Sequence, residues 1–221
     1  MITFEAHLPE SQLKILRHLL GKVIFDIYSP ALDVDHQIIS VVSLSLALEG
    51  ERDFINVKNE WLETENDDDY WRLSFEQSDN PEGLSYETDE TIGVLCFDSR
   101  ASCIRLNKMS PIEKVEVFEA NEENDDEVMS YDHAVLFHQQ NGEQFCIAVK
   151  QSIADMLEFS RNEKDIQLLL QGCKLRWSAS WQQRHVEQII GREGETATLL
   201  SRCAFSFGLR VGGFAPRQLN R

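Results

Sequence analysis

The chain has 221 residues, with 21 Lys and Arg set against 38 Asp and Glu, for a formal charge of −17, and 42% of its residues are hydrophobic. That length and apolar content build a sizeable core and exclude disorder over the whole chain. A surface this acidic repels polyanions, which excludes direct affinity for nucleic acid or anionic lipid and points to basic, cationic or neutral partners.

The first residues, Met1-Ile2-Thr3-Phe4-Glu5, lack the positive segment and apolar stretch of a secretory signal. The longest apolar-rich run, Ile38 to Leu48, is too short to cross a membrane. The expectation is a soluble, cytoplasmic protein. Its five cysteines, Cys96, Cys103, Cys146, Cys173 and Cys203, are odd in number, widely spaced and without a Cys-x-x-Cys pair, the pattern of free thiols.

In chain order, Pro9 to Leu20 places Leu13, Leu16, Leu19 and Leu20 at helical spacing, and Gly21 stops the helix. Val23 to Tyr28 follows as a short β-branched and aromatic strand. Ile38 to Leu48 alternates Val42, Leu44, Leu46 and Leu48 with small residues, which predicts one core strand with a single buried face. Further short strands are expected at Asp53 to Trp61, Tyr70 to Phe75, Thr91 to Phe97, Cys103 to Leu106 and Ile112 to Phe118, separated by turn-rich segments.

His133 to Lys150 carries the clearest local signal. Asn141-Gly142 sits between two apolar runs and predicts a two-residue hairpin pairing His138 with Phe145 and Phe137 with Cys146. Both faces of that hairpin are apolar, so it belongs inside a sheet covered on each side. Asn162 to Leu170 predicts a capped helix ending near Gly172, and Cys173 to Trp177 a final strand. The sum is an α+β domain dominated by antiparallel sheet, with about eight to ten short strands, an N-terminal helix and a second short helix near 162–171.

Composition changes near Ser178. Residues 1–177 hold 15 basic and 35 acidic residues, whereas 178–221 hold six arginines, three glutamates and neither lysine nor aspartate. Two segments are therefore expected: an acidic β-rich body over 1–177 and an Arg-containing extension over 178–221, docked or loosely ordered.

Acid clusters are the unusual feature. One holds Glu60, Glu63, Glu65, Asp67, Asp68 and Asp69; a second holds Glu119, Glu122, Glu123, Asp125, Asp126 and Glu127; a looser third holds Asp79, Glu82, Glu87, Asp89 and Glu90. All lie where loops join strands. Solvated loops that keep an acidic chain dispersed are the plain reading; the functional one is an electronegative face for a basic partner. Its candidate partner-binding residues are Glu63, Glu65, Asp67, Asp68, Asp69, Trp71, Glu122, Glu123, Asp125, Asp126 and Glu127. Trp71 enters because an aromatic anchor beside charge makes an interface hot spot, although a strand residue packing inward is its plain alternative.

Calcium-loop spacing fails in both main clusters. From Asp67 the fifth and sixth positions are Trp71 and Arg72, and neither Glu122 nor Asp125 opens a loop with the required glycine. The histidines His7, His18, His36, His133, His138 and His185 show no zinc spacing, and His133 and His138, five apart in one strand, are expected on opposite faces. With Cys146 opposite Phe137, His138 is also expected to face away from that thiol. Nucleophile-elbow, P-loop and dinucleotide motifs are missing. No catalytic residue, metal or cofactor is expected.

These features favour a non-catalytic acidic binding protein of the inhibitor, antitoxin or immunity-like, or adaptor kind. Its partner is a basic protein surface such as the groove of a nucleic-acid-binding enzyme. The competing class is a hydrolase whose site joins His133 or His138 to distant carboxylates, and a structural subunit of a larger assembly is a third.

Overall fold

The computed structural model describes residues 2–35, 38–63, 69–89, 94–97, 101–106, 108–123, 127–151 and 156–182. In chain order the elements are β1 (Ile2–Ala6), α1 (Glu10–His18), β2 (Ile24–Ser29), β3 (Leu32–Asp35), β4 (Ile38–Val41), β5 (Ser43–Leu48), β6 (Phe54–Glu63), β7 (Asp69–Ser78), β8 (Tyr86–Asp89), β9 (Val94–Phe97), β10 (Ser102–Ile104), β11 (Ile112–Glu123), β12 (Glu127–Gln139), β13 (Gln144–Lys150), β14 (Met156–Ser160), α2 (Glu163–Leu169) and β15 (Lys174–Ser180). The mostly antiparallel α+β architecture read from the sequence is the one observed. The described strands number fifteen because β1, β3, β8 and β14 form where the local pattern is too short to announce a strand and because segment 38–48 holds two, β4 and β5.

The larger sheet runs β15-β11-β12-β13-β14-β4-β3, with β1 added parallel to β12; the second runs β10-β2-β5-β6-β7, and β8-β9 is a separate ribbon. The two large sheets enclose one apolar core, to which β2, β5, β6, β7, β11, β12, β13 and β14 all contribute fully buried Leu, Ile, Val or Phe. α1 closes part of this core with Leu13 and Leu16. Its Gln12 accepts from the Phe75 amide at 3.0 Å, so the helix also guards the free edge of β7.

Segment 38–48 differs from the single strand expected. β4 lies in the larger sheet and β5 in the second, and between them Val42 is 46% exposed rather than buried. β2 and β3 make the same crossing in parallel. Tyr28 pairs with Ser45 and Leu32 with Val41, so one antiparallel ribbon keeps its register while bending from sheet to sheet. Alternation alone reads such a ribbon as one strand, because a bend at the corner of a sandwich leaves the period of two intact on each side.

The β12–β13 hairpin is shifted by one residue from the predicted register. Phe137 pairs with Phe145 and Leu136 with Cys146 across a three-residue loop, Gln140 to Gly142. The Gly142 amide returns to the Gln139 carbonyl, Gly142 has φ +84°, and the Gln140 amide donates to Pro111 rather than across the turn. A tie to the neighbouring segment therefore selects the longer loop over the two-residue turn. The rings of Phe137 and Phe145 stack 4.6 Å apart as a result. The covering expected on both faces is present: one face joins the main core, and Ala134, Leu136, Cys146 and Ala148 on the other pack under Ile166 and Leu169 of α2.

α2 is capped by Asn162, whose side chain accepts from the amides of Lys164 and Asp165, and Gly172 follows it at φ +80°. β15 continues past Trp177 to Ser180, and the compact unit runs to Trp181, with Gln182–Arg221 forming a second unit. The Arg-containing extension from residue 183 onward lies outside the described residues.

Cys146 is buried and reduced, and burial pushes its thiol up to about 12; Cys173 is half-buried and free. Cys103 is free and exposed, its thiol facing the buried Asp26 carboxylate at 3.4 Å. Among the described residues no helix is long and apolar enough to cross a membrane.

Candidate functional site: the acidic end of the sandwich

Two long hairpins carry the two main acid clusters at their tips. β6 and β7 pair as far as Glu63 opposite Asp69, and β11 and β12 as far as Glu123 opposite Val128. A satellite core joins the tips: Tyr70, Met129, Tyr131 and Ala6 are buried together, with Leu62, Phe4 and Ala120 packed against them. The ring of Phe4 meets that of Tyr70 edge-on at 5.3 Å. Residues on both sides of each tip enter this one cluster, so the described acids of the two tips share one end of the compact unit Met1–Trp181.

At that end Glu63, Asp69, Glu122 and Glu123 are exposed, and none of the four has an ion-pair partner among the described residues. Glu122 accepts from the Tyr131 hydroxyl at 2.7 Å, and burial followed by this bond raises the Tyr131 pKa. Among the described residues three basic side chains nearby are already committed. Arg72 holds Glu60 at 2.8 Å, His7 faces Glu119 at 3.5 Å, and Arg176 is clamped on Asp132.

Other candidates occupy different environments. Glu127 is 3% exposed, which removes its carboxylate from the surface assumed for it. Trp71 is half-buried against the main core, with its main chain bound by Gln151, whereas its cross-strand partner Trp61 is 50% exposed beside Glu60 and Glu63. Glu65, Asp67, Asp68, Asp125 and Asp126 lie outside the described residues. Of the third acid group, Asp79 follows the far end of β7, ten residues and about 30 Å from the tip, and Glu82 sits 3.9 Å from Lys58.

Among the described residues His133 and His138 are each held by structural contacts. A β-bulge places Glu119 opposite Asp132 and Phe118 opposite Ala134, leaving His133 unpaired. The extra residue reverses the alternation. His133 donates from Nε2 to the Leu169 carbonyl of α2 at 3.1 Å, on the face that His138 shares with Ala134 and Leu136, so the opposite-face expectation fails. With the corrected hairpin register His138 and Cys146 share that face as well. His138 is nevertheless occupied at both ring nitrogens, Nε2 at 2.6 Å from Glu116 and Nδ1 at 3.0 Å from Gln144, and Cys146 is sealed under α2. A cavity of about 330 Å³ beside this face is lined by Leu106, Gln139, Gln144, Arg161, Glu163 and Ile166, with no histidine in its wall. No group of three or more His, Cys, Asp or Glu side chains able to hold a metal occurs among the described residues.

Tyr131, which ties Glu122 to the satellite core, and Asp132, which pins three segments, stand out only in the folded chain. The signal present was a polar pair in an apolar strand, and only burial gives that meaning. Comparison with protein-family profiles, with curated proteins and with solved structures finds no match for this chain.

Proposed function

We propose that this chain is a non-catalytic binding protein whose acidic end masks a basic surface on a protein partner, as an inhibitor, an immunity-like protein or an adaptor does. The observation that carries the reading is the meeting of the β6–β7 and β11–β12 tips around the Tyr70–Tyr131 cluster. It gathers Glu63, Asp69, Glu122 and Glu123 on one end and leaves them without internal cations among the described residues. Carboxylates so placed steer a basic molecule into encounter and disfavour acidic competitors. Exposed Trp61 on the same hairpin adds an aromatic surface for Arg or Lys side chains. A partner surface that normally receives a phosphate backbone, with one charge per about 1.7 Å of duplex axis, has the complementary density of cations.

The test is competition between the full chain and duplex DNA for a basic nucleic-acid-binding protein, followed over ionic strength. The chain displaces DNA at low salt and loses the partner by roughly half-molar salt, where exposed charges are screened within a few ångströms. The variant Glu63→Gln/Asp69→Asn/Glu122→Gln/Glu123→Gln keeps its fold and fails to compete. Retention indifferent to salt and to these four changes overturns the proposal.

A further inference from the structure

We propose a second docking surface, independent of the acidic end: the open edge of β3, which accepts an extended segment of a partner protein with alternating basic and apolar residues. β3 is the last strand of the larger sheet, and all of Ala31, Leu32, Asp33 and Val34 are exposed. Three other edges are defended. β7 has Gln12 and Gln151 on its main chain, β15 carries Lys174 and Arg176, and β10 is three residues long.

The rows of the sheet say what the edge is built to receive. On the core face, Val149, Leu157 and Val41 form a row that ends at Leu32, and Ile147, Phe159 and Ile39 form one that ends at Val34. Val149, Leu157, Val41, Ile147 and Phe159 are buried and Ile39 is half-buried, whereas on the last strand Leu32 is 37% and Val34 55% exposed. On the opposite face the row from Ala148 passes through Glu158 and Ser40 and ends at Asp33, whose carboxylate lies along the edge and accepts from the Val34 amide at 2.9 Å. One more strand continues both apolar rows if it places β-branched residues opposite Leu32 and Val34. It neutralises the acid on the other face if a basic residue falls opposite Asp33.

The same pattern disfavours one register with a second copy of this chain. Antiparallel self-pairing centred on Asp33 sets Leu32 against Val34 but Asp33 against its own copy, and like charges directly opposite disfavour that arrangement. Asp33 thus favours a basic strand over its own copy in the register that matches the apolar residues.

The experiment is fluorescence anisotropy of a labelled ten-residue peptide with a Lys-Val-Lys-Val core, titrated with the full chain at low salt, beside a Glu-Val-Glu-Val control. The basic peptide binds and the acidic one does not, and hydrogen exchange slows at residues 31–35. Val34→Pro removes an edge amide and weakens binding at least about tenfold. Asp33→Lys, an exposed change that spares the fold, reverses the preference toward the acidic peptide. The four-acid variant of the tips keeps peptide binding, which separates this surface from the one above. Equal binding of both peptides, no response to Asp33→Lys, loss of binding in the tip variant alone, or self-association through β3 overturns the proposal.

Discussion

The side-chain amide of Gln151 takes both main-chain groups of Trp71: Nε2 donates to the Trp71 carbonyl at 2.7 Å, and Oε1 accepts from the Trp71 amide at 3.0 Å. A single side chain thereby imitates one rung of a β-ladder on the free edge of β7. It also ties the end of β13 in the larger sheet to the hairpin that carries one acidic tip. Gln151→Ala is expected to cost about 1–2 kcal/mol, the range for hydrogen bonds lost at a partly buried edge. Urea unfolding measures the loss, and faster exchange at the Trp71 amide localises it.

Asp132 is 0% exposed and holds three segments together. It accepts from Arg176 of β15 through both carboxylate oxygens at 2.5 Å, and from the Leu8 amide, ahead of α1, at 2.6 Å. Arg176→Met strands the carboxylate in the interior and is expected to destabilise by about 3–5 kcal/mol. Asp132→Asn/Arg176→Met removes the buried charge as well and recovers part of that loss. A double variant no more stable than Arg176→Met shows that the charge itself is not what costs.

Burial pushes the His133 pKa below its ordinary value of 6.5, and the hydrogen bond to Leu169 and the charges of Glu158 and Glu122 oppose that shift only in part. The folded chain therefore binds fewer protons here than the unfolded one. The contribution of neutral His133 is full above pH 6.5 and declines as pH falls below it. Chemical denaturation between pH 7.5 and pH 5.5, about one unit either side of that value, shows stability decreasing on acidification, and His133→Gln flattens the profile. A wild-type curve as flat as the variant's removes His133 as the source.

Glu116 titrates in a lower window. Burial favours its neutral form, yet hydrogen bonds from Lys114 and His138 outweigh it and hold the pKa below 4.5. Its stabilisation is present above the unfolded value and lost as pH falls through the folded one. His138→Asn should raise the midpoint of acid unfolding, read by circular dichroism, because it removes one of the two bonds that favour the charged carboxylate. An unchanged midpoint assigns that stabilisation to Lys114 alone.

Gly21 follows α1 at φ +77°, and the ring of Trp181 fills the space a Cβ would take. Gly21→Ala combines a left-handed backbone with that clash and is expected to cost more than about 1 kcal/mol. Trp181→Ala in the same chain relieves the clash and leaves the backbone share. A Gly21→Ala cost that is the same with and without Trp181 shows that the ring does not press on this turn. The contact lies at the end of the compact unit, which runs to Trp181.

What could be read along the chain was what neighbours in sequence decide. Asn162 caps a helix because its side chain reaches amides two and three residues on, Gly172 follows it because glycine tolerates positive φ, and Leu13 and Leu16 mark the buried face of α1. The alternation over 38–48 was equally visible, but the corner at Val42 was not, since each half of a bent ribbon keeps the same period. The hairpin register was missed for a related reason. Asn141-Gly142 favours a short turn locally, and the bond from Gln140 to Pro111 outweighs that preference.

Charge, apolar content, the two helices and most strand positions belong to the sequence by itself, because propensity, capping and periodicity act within a few residues. Tertiary structure alone decided that two acidic tips separated by some sixty positions meet around Tyr70 and Tyr131, that Glu127 is buried while Glu122 and Glu123 are not, and that β3 ends the larger sheet with Leu32 and Val34 in solvent. Each depends on which distant strands pack together. A carboxylate in a sequence carries its charge with it, but its exposure and its partners come only from the surfaces that folding brings beside it.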